Sequence, residues 1–209
     1  MTSRIGRFFE NKFFKKRIFF VADNTVTLRK EILENPLFRS DIIRDARHLP
    51  LKVNAHDNDN ANRFMKRLEN PSLVLYLALD RQTSQLAAYY WTAEAKDNPL
   101  WHDKIYVEPN SVLGLDAFTL PEYRGKNAFP FLKSIAIRNT VLEGNYDYFY
   151  SVVESSNKAS IRANEKLGLT VAGYNYLIKL YGRNILSIIH LNNKWEIHCV
   201  FRNSKDINV

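Results

Sequence analysis

The stretch "LDAFTLPEYRGKNAFPFLKSIAI", residues 115–137, changes character twice. It starts as an apolar run of strand-forming residues and stops at Pro121. A charged turn of Arg124, Gly125, Lys126 and Asn127 follows, and from Pro130 onward Phe131, Leu132 and Ile135 recur at helical spacing. A strand fed by a short loop straight into a helix aims several main-chain N–H groups, and the positive end of the helix, at one point. Such a place binds phosphate. Arg124 and Lys126 add charge, and Gly125 permits a tight backbone. On these residues alone, an ordinary solvated turn before a helix reads the same way.

Working outward, the helix is expected over 130–143, closed by Gly144. "YDYFYSVV" (146–153) reads as a strand, "SSNKASIRANEKLGL" (155–169) as a capped helix and "TVAGYNYLIKLYG" (170–182) as a strand. "ILSIIHL" (185–191) and "WEIHCVF" (195–201) form a hairpin across Asn192, Asn193 and Lys194. Upstream, "SLVLYLAL" (72–79) and "SQLAAYYWTAE" (84–94) form an antiparallel hairpin, and a further strand occupies 111–120. "RIFFVADNTVTLR" (17–29) reads as strand, turn at Asp23-Asn24 and short strand, while 39–49 and 58–69 are expected to be helical. After residue 110 the order is β-α-β-α-β-β-β. The fold class is therefore α/β, of α+β type, with a mixed sheet and crossover helices on its faces.

Two hundred and nine residues with 45% hydrophobic content suit a single domain with a sizeable core. Its parts are a basic aromatic arm (1–17), a strand with helices (18–71), a central unit (72–182) and a C-terminal hairpin (183–209). No apolar run is long enough to cross a bilayer, and Arg and Lys stud the first twenty residues, so a cytoplasmic location is expected. The lone Cys199 has no disulfide partner, and the His residues show no zinc spacing, so no metal is expected. The net charge of +8 favours acidic partners: nucleic acid, anionic lipid or a polyphosphate cofactor. Part of that charge lies in "RIGRFFENKFFKKR" (4–17). This arm reads either as an amphipathic helix on the inner face of a membrane or as a segment packing its Phe residues on the domain.

"PEYRGKNAFPFL" followed after one crossover by "NKASIRANEKLGL" resembles the GNAT superfamily of acyl-CoA-dependent N-acyltransferases. The hallmark of that family is Arg or Gln, two residues, Gly, one residue, then Gly or Ala. Its second segment is carried here by Asn157, Ala159, Ser160, Lys166, Gly168 and Leu169. The resemblance covers about residues 72–182. It implies a mixed, twisted sheet splayed open between 111–120 and 146–153 and flanked by helices. It also implies acetyl-CoA, or another acyl-CoA, as donor and a small-molecule amine as acceptor, with no nucleic acid. The pantetheine arm would pair near Phe118 and Leu120, and the pyrophosphate would sit on Arg124, Gly125, Lys126, Asn127, Ala128 and Phe129, with Asn157 and Ser160 beside the arm. Three departures stand out. Asn127 replaces the first motif Gly, Phe129 replaces the final Gly or Ala, and Asn164 stands where a thiolate-protonating Tyr is common.

Acyl transfer to an amine needs a deprotonated nitrogen, a positioned thioester and an oxyanion donor. Asp116 and Glu154 are the candidate proton acceptors, each equally readable as a surface charge. Among Tyr174, Tyr176 and Tyr181, Tyr181 is the candidate to replace the missing acid. His190 and His198 are secondary candidates for the acceptor side. The aromatic "AYYWTAE" (88–94), with Trp101 and His102, would suit a stacked ring, by analogy a nucleotide- or lipid-linked amino sugar. The competing readings are a non-catalytic acyl-CoA sensor or scaffold and a membrane-surface protein acting through the arm.

Overall fold

The computed structural model describes residues 14–48, 64–95, 107–180 and 183–199. Within them nine strands form one sheet: β1 (Phe14–Ala22), β2 (Phe38–Ile43), β3 (Leu73–Asp80), β4 (Leu86–Glu94), β5 (Ser111–Thr119), β6 (Tyr148–Glu154), β7 (Thr170–Leu180), β8 (Arg183–Leu191) and β9 (Lys194–Cys199). The spatial order is β2-β3-β4-β5-β6-β1-β7-β8-β9, and β5 with β6 is the parallel pair. Helices α1 (Lys30–Leu33), α2 (Ala128–Ile137) and α3 (Lys158–Lys166) flank it. The result is an α/β fold with a mixed, splayed sheet. No helix among the described residues is long and apolar enough to cross a membrane.

The centre forms because β3 and β4 are nearly continuous apolar runs, buried along their whole length save the last residue of each. Such strands must be covered on both faces. On one face α2 presents Phe131, Leu132, Ile135 and Ala136, all buried, and its Phe129 meets Tyr90 of β4 with ring centroids 5.4 Å apart. On the other face a helical turn at 64–68 packs Phe64 on Tyr89 and Trp91, at 4.9 and 5.4 Å. The expected hairpin at the C-terminus turns through Asn192 and Asn193, both left-handed at φ 49° and 62°.

Three expectations need correction. Residues 39–49 are not a helix. Phe38–Ile43 is an edge strand paired to β3, and only Ala46–His48 makes a helical turn, of the tight 3-10 kind. Arg39 and Asp41 in that strand are the charges that protect a sheet edge, and they broke the apolar alternation that would have revealed it. No strand follows the turn at Asp23. Asp23 Oδ1 accepts the Thr25 N–H at 2.9 Å and the chain runs on into α1. Residues 14–17 of the basic arm are strand rather than amphipathic helix, because β1 inserts between β6 and β7 with Phe19 and Phe20 almost wholly buried. The readings of residues 4–13, of 58–63, and of Trp101, His102 and Tyr181 fall outside the described residues.

Candidate functional site

β5 and β6 pair over four residues, from Ser111 opposite Tyr148 to Gly114 opposite Ser151, and then part. The parting has a local cause. On its other side β5 pairs Gly114 with Thr92 and Ala117 with Tyr90, so Trp91 alone faces both Leu115 and Asp116. That bulge starts at the residue after the last β5–β6 pair, and a bulge bends and twists its strand away. β6 meanwhile continues along β1, with Val152 opposite Phe19 and Glu154 opposite Arg17. From Leu115 to Thr119 β5 thus presents an edge with no strand beside it.

The fork opens onto a cavity of about 760 Å³. β5 contributes Ala117, Phe118 and Thr119 to its wall. The loop and the start of α2 contribute Tyr123, Arg124, Gly125, Asn127, Ala128, Phe129 and Pro130, and α3 with its cap contributes Asn157, Ser160, Arg162 and Lys166. Gly125 and Asn127 are both left-handed, at φ 79° and 62°. Glycine adopts that region freely and asparagine tolerates it, so Asn127 does at its position what the motif glycine would do. Among the described residues the N–H groups of Gly125, Asn127, Ala128 and Phe129 have no main-chain partner, and the Asn127 side chain does not cap α2. It accepts instead from Lys166 Nζ at 3.0 Å, which ties the loop to α3. Unspent amides, the three cations Arg124, Arg162 and Lys166 on the wall and a helix start meet at one opening, which suits a diphosphate.

The other candidates fall around this opening in different ways. Asn157 caps α3, its Oδ1 accepting the Ser160 N–H at 3.0 Å, and both residues line the cavity. Phe118 is 43% exposed on the open edge and stacks on Tyr89. Arg124 donates through Nε to the Thr119 carbonyl at 3.3 Å. Leu120 is buried with both main-chain groups engaged, its N–H to Ala87 and its carbonyl to Tyr123, so it offers no free edge for a pantetheine arm. Lys126 lies off the cavity wall, its ammonium 5.3 Å above the Tyr123 ring.

Asp116 and Glu154 both lie where the strands have parted. Asp116 Oδ2 accepts from Arg67 Nη1 at 3.1 Å, and Glu154 is ion-paired with Lys15. Arg67 also lies over Trp91, which places Asp116 on the face opposite α2. Glu154 shares a β6 face with Tyr150, whose hydroxyl donates to Glu108. Asn192 Nδ2 donates to the same carboxylate, and burial holds the Tyr150 phenol well above its usual range. The sheet therefore carries Arg124, Arg162, Lys166 and the free amides on one side of the fork and, on the other, three carboxylates, two of them ion-paired with Arg67 and Lys15.

Several expectations find no support in this geometry. Tyr174 and Tyr176 stand on β7, which β1 separates from β6, roughly 9–10 Å from the fork. Their rings hold the Lys16 ammonium at 4.0 and 5.4 Å. His190 stacks on Trp195 at 4.4 Å. Tyr89, Tyr90 and Trp91 are all buried, so they build the core and leave no ring free to stack on an acceptor. Sequence reasoning also missed Lys133, which is wholly buried in α2 and donates to Asn164 Oδ1. Asn164 Nδ2 donates to the Ser160 carbonyl at 2.7 Å. Lys133 had no signal beyond a polar letter on an apolar helix face, whereas Asn164 stood out as a departure from the family motif.

No family model and no curated protein sequence matches the chain. Among solved structures, a Drosophila protein aligns at TM-score 0.51 with 10% identity, over 87% of this chain and 52% of its own. An aminoglycoside 6'-N-acetyltransferase, AAC(6')-Ih from Acinetobacter baumannii, aligns at 0.43 with 16% identity, over 63% of this chain and 89% of its own. A GCN5-related N-acetyltransferase-like protein from Streptococcus suis aligns at 0.47 with 12% identity, over 78% and 60%. The chain spans about half the length of the Drosophila protein. At such identities the likeness is one of fold.

Proposed function

We propose that the chain is an acyl-CoA-dependent N-acyltransferase that moves an acetyl group from acetyl-CoA to the amine of a small molecule. The observation that carries this reading is the fork itself: a strand pair that parts after Gly114 beside a cavity lined by unspent amides at Gly125, Asn127, Ala128 and Phe129. An open strand edge is costly unless something completes it, and an extended amide-bearing arm beside an anionic diphosphate is the kind of ligand that does. The loop amides, Arg124 and Lys166 would hold the diphosphate, and the β5 edge from Leu115 to Thr119 would hold the arm. Bound there, the donor supplies an activated thioester.

The amine enters from the opposite face. Asp116, Glu108 and Glu154 stand on that face; Arg67 and Lys15 offset two of these charges, so what the carboxylates offer an entering amine is proton acceptors. Asp116, closest to the point of parting, is the base we assign. The acceptor class we assign is an amino sugar, nucleotide- or lipid-linked, with the half-exposed Phe118 ring as its apolar contact.

A second reading, an acyl-CoA-binding scaffold without activity, is favoured by Asn164, whose amide is fully engaged and which carries no acid. Calorimetric titration with CoA and thiol release from acetyl-CoA over a panel of amino sugars separate the two. Transferase activity gives both binding and release, whereas a scaffold gives binding alone. Replacing Arg124 with Glu should weaken CoA binding by one to two orders of magnitude, about 1.5–3 kcal/mol for a charge-assisted contact. Unchanged affinity would remove Arg124 from the site.

A further inference from the structure

The point where β5 and β6 part is occupied by a buried phenol hydroxyl. Tyr90 is 2% exposed, and among the described residues its Oη meets no partner in full hydrogen-bonding geometry, the Ser151 side chain being the polar group close enough to interact with it. Its position is fixed by Gly114. A Cβ at that residue would lie 1.8 Å from Tyr90 Oη, so the hydroxyl rests directly over the last paired residue of β5. Gly114 is not in the left-handed region, so glycine is needed here for room rather than for backbone freedom. The ring is held from two sides, edge-on by Phe129 at 5.4 Å and tilted against Phe149 at 6.3 Å. A buried hydroxyl left unpaired destabilises the empty protein, and one kept rigidly in place is best explained by a partner that arrives later.

Phe129 says from where. Its ring lies on Tyr90 and also forms part of the wall of the loop cavity, so the hydroxyl and the cavity are separated by one side chain. Tyr90 also points to the face of α2 and α3, the side on which the acyl donor is placed, and away from Asp116. Burial raises the phenol well above its ordinary value, so it stays protonated and keeps an O–H to donate.

We propose that the Tyr90 hydroxyl is the hydrogen-bond donor to the sulfur end of the acyl donor, stabilising the charge that grows on the departing sulfur from a side of the site that Asn164 does not serve. This rests on the acyltransferase reading. The amine nitrogen forms its bond to the acyl carbon, the carbon–sulfur bond breaks with its electron pair on sulfur, and the Tyr90 O–H donates a hydrogen bond to that sulfur without giving up its proton. The surplus proton of the new amide nitrogen leaves through solvent and protonates the released thiolate. No further reactant is needed.

The test compares CoA with desulfo-CoA, which lacks the sulfur, by calorimetry on the wild-type chain and on Tyr90→Phe. Wild type should bind CoA about five- to tenfold more tightly than desulfo-CoA, the worth of one hydrogen bond, and Tyr90→Phe should bind both equally. Tyr90→Phe should also keep or raise the melting temperature, since it removes an unpaired buried hydroxyl. If the wild type binds neither ligand, the acyl-CoA reading itself falls. If it binds both, and Tyr90→Phe leaves their ratio unchanged, that reading stands and the role of Tyr90 is overturned. A preference lost in a variant of unchanged melting temperature supports the proposal, and thiol release should then fall in Tyr90→Phe without a matching loss of CoA affinity. For a variant that fails to fold, Ser151→Ala serves as the control: it should keep the wild-type preference, and losing it would assign the sulfur contact to Ser151 instead.

Discussion

Strand β5 is one chain with two environments. From Val112 to Gly114 it is paired on both sides, to β4 and to β6, and these residues, with Ser111 before them, are all buried. From Leu115 to Thr119 it is paired to β4 alone, and Ala117 and Phe118 are exposed. The boundary is a single bulge, opposite Trp91. The comparison teaches that the opening is made by strand register and not by weak sequence. "LDAFT" has as much strand preference as "SVLG", so nothing but the missing partner distinguishes the halves.

The strongest way to break the comparison is at the boundary. Gly114→Val places a branched side chain where the Tyr90 hydroxyl stands, with the ring carbon that bears it 2.8 Å from the new Cβ. Overpacking there should cost about 3 kcal/mol of unfolding free energy, read by chemical denaturation. The double variant with Tyr90→Phe should recover part of that loss, because the two residues share one contact. Full additivity would mean that Tyr90 and Gly114 do not define the boundary.

A second test sharpens the contrast between the two sides of the open half. Lys133 lies behind the cavity, wholly buried, 5.9 Å from the centre of the Phe129 ring and 5.8 Å from that of Phe149. Desolvation pushes its ammonium well below the ordinary 10.5. The sign follows directly. Between the folded pKa and the unfolded one, the unfolded chain binds a proton that the native state does not, so stability rises with pH across that window. Relative to Lys133→Met, the wild type should gain stability as the pH rises toward the ordinary lysine value, by at most about 1.4 kcal/mol per pH unit, measured by denaturant titration. Parallel curves would show that Lys133 is charged and solvated in the folded protein.

Legibility in the sequence followed the same boundary between local and non-local causes. The loop, α2, α3 and the terminal hairpin were readable because Gly125, Asn127, Asn157 and the pair Asn192-Asn193 impose their conformations within a few residues. The parting of β5 from β6 was foreseen through the two linked motifs, but its bulge was not, since a bulge depends on which residues lie opposite. The same reason hid β1. "FKKRIFFVA" reads as a strand anywhere, and only pairing decides that it separates β6 from β7 and so moves Tyr174 and Tyr176 away from the fork. β2 was lost because edge charges imitate a polar helix face. Lys133 and the Tyr90 hydroxyl were invisible because burial of a polar group is a property of the assembled core.

The smallest effect expected belongs to the far lip of the opening, where β6 turns into α3. Asn157 satisfies the Ser160 N–H there, and that cap is the one side-chain bond seen at the start of the helix. Asn157→Ala should cost about 1 kcal/mol, the ordinary worth of an N-cap. Its location makes it more informative than its size. If the parted half is a separately opening unit, amide exchange should quicken at residues 158–161 while the amides of 111–114 and 148–151 keep their protection. Uniform quickening across both sets would instead mean that the fork is as rigid as the paired half. The cavity would then be a fixed cleft whose walls do not yield when a ligand enters.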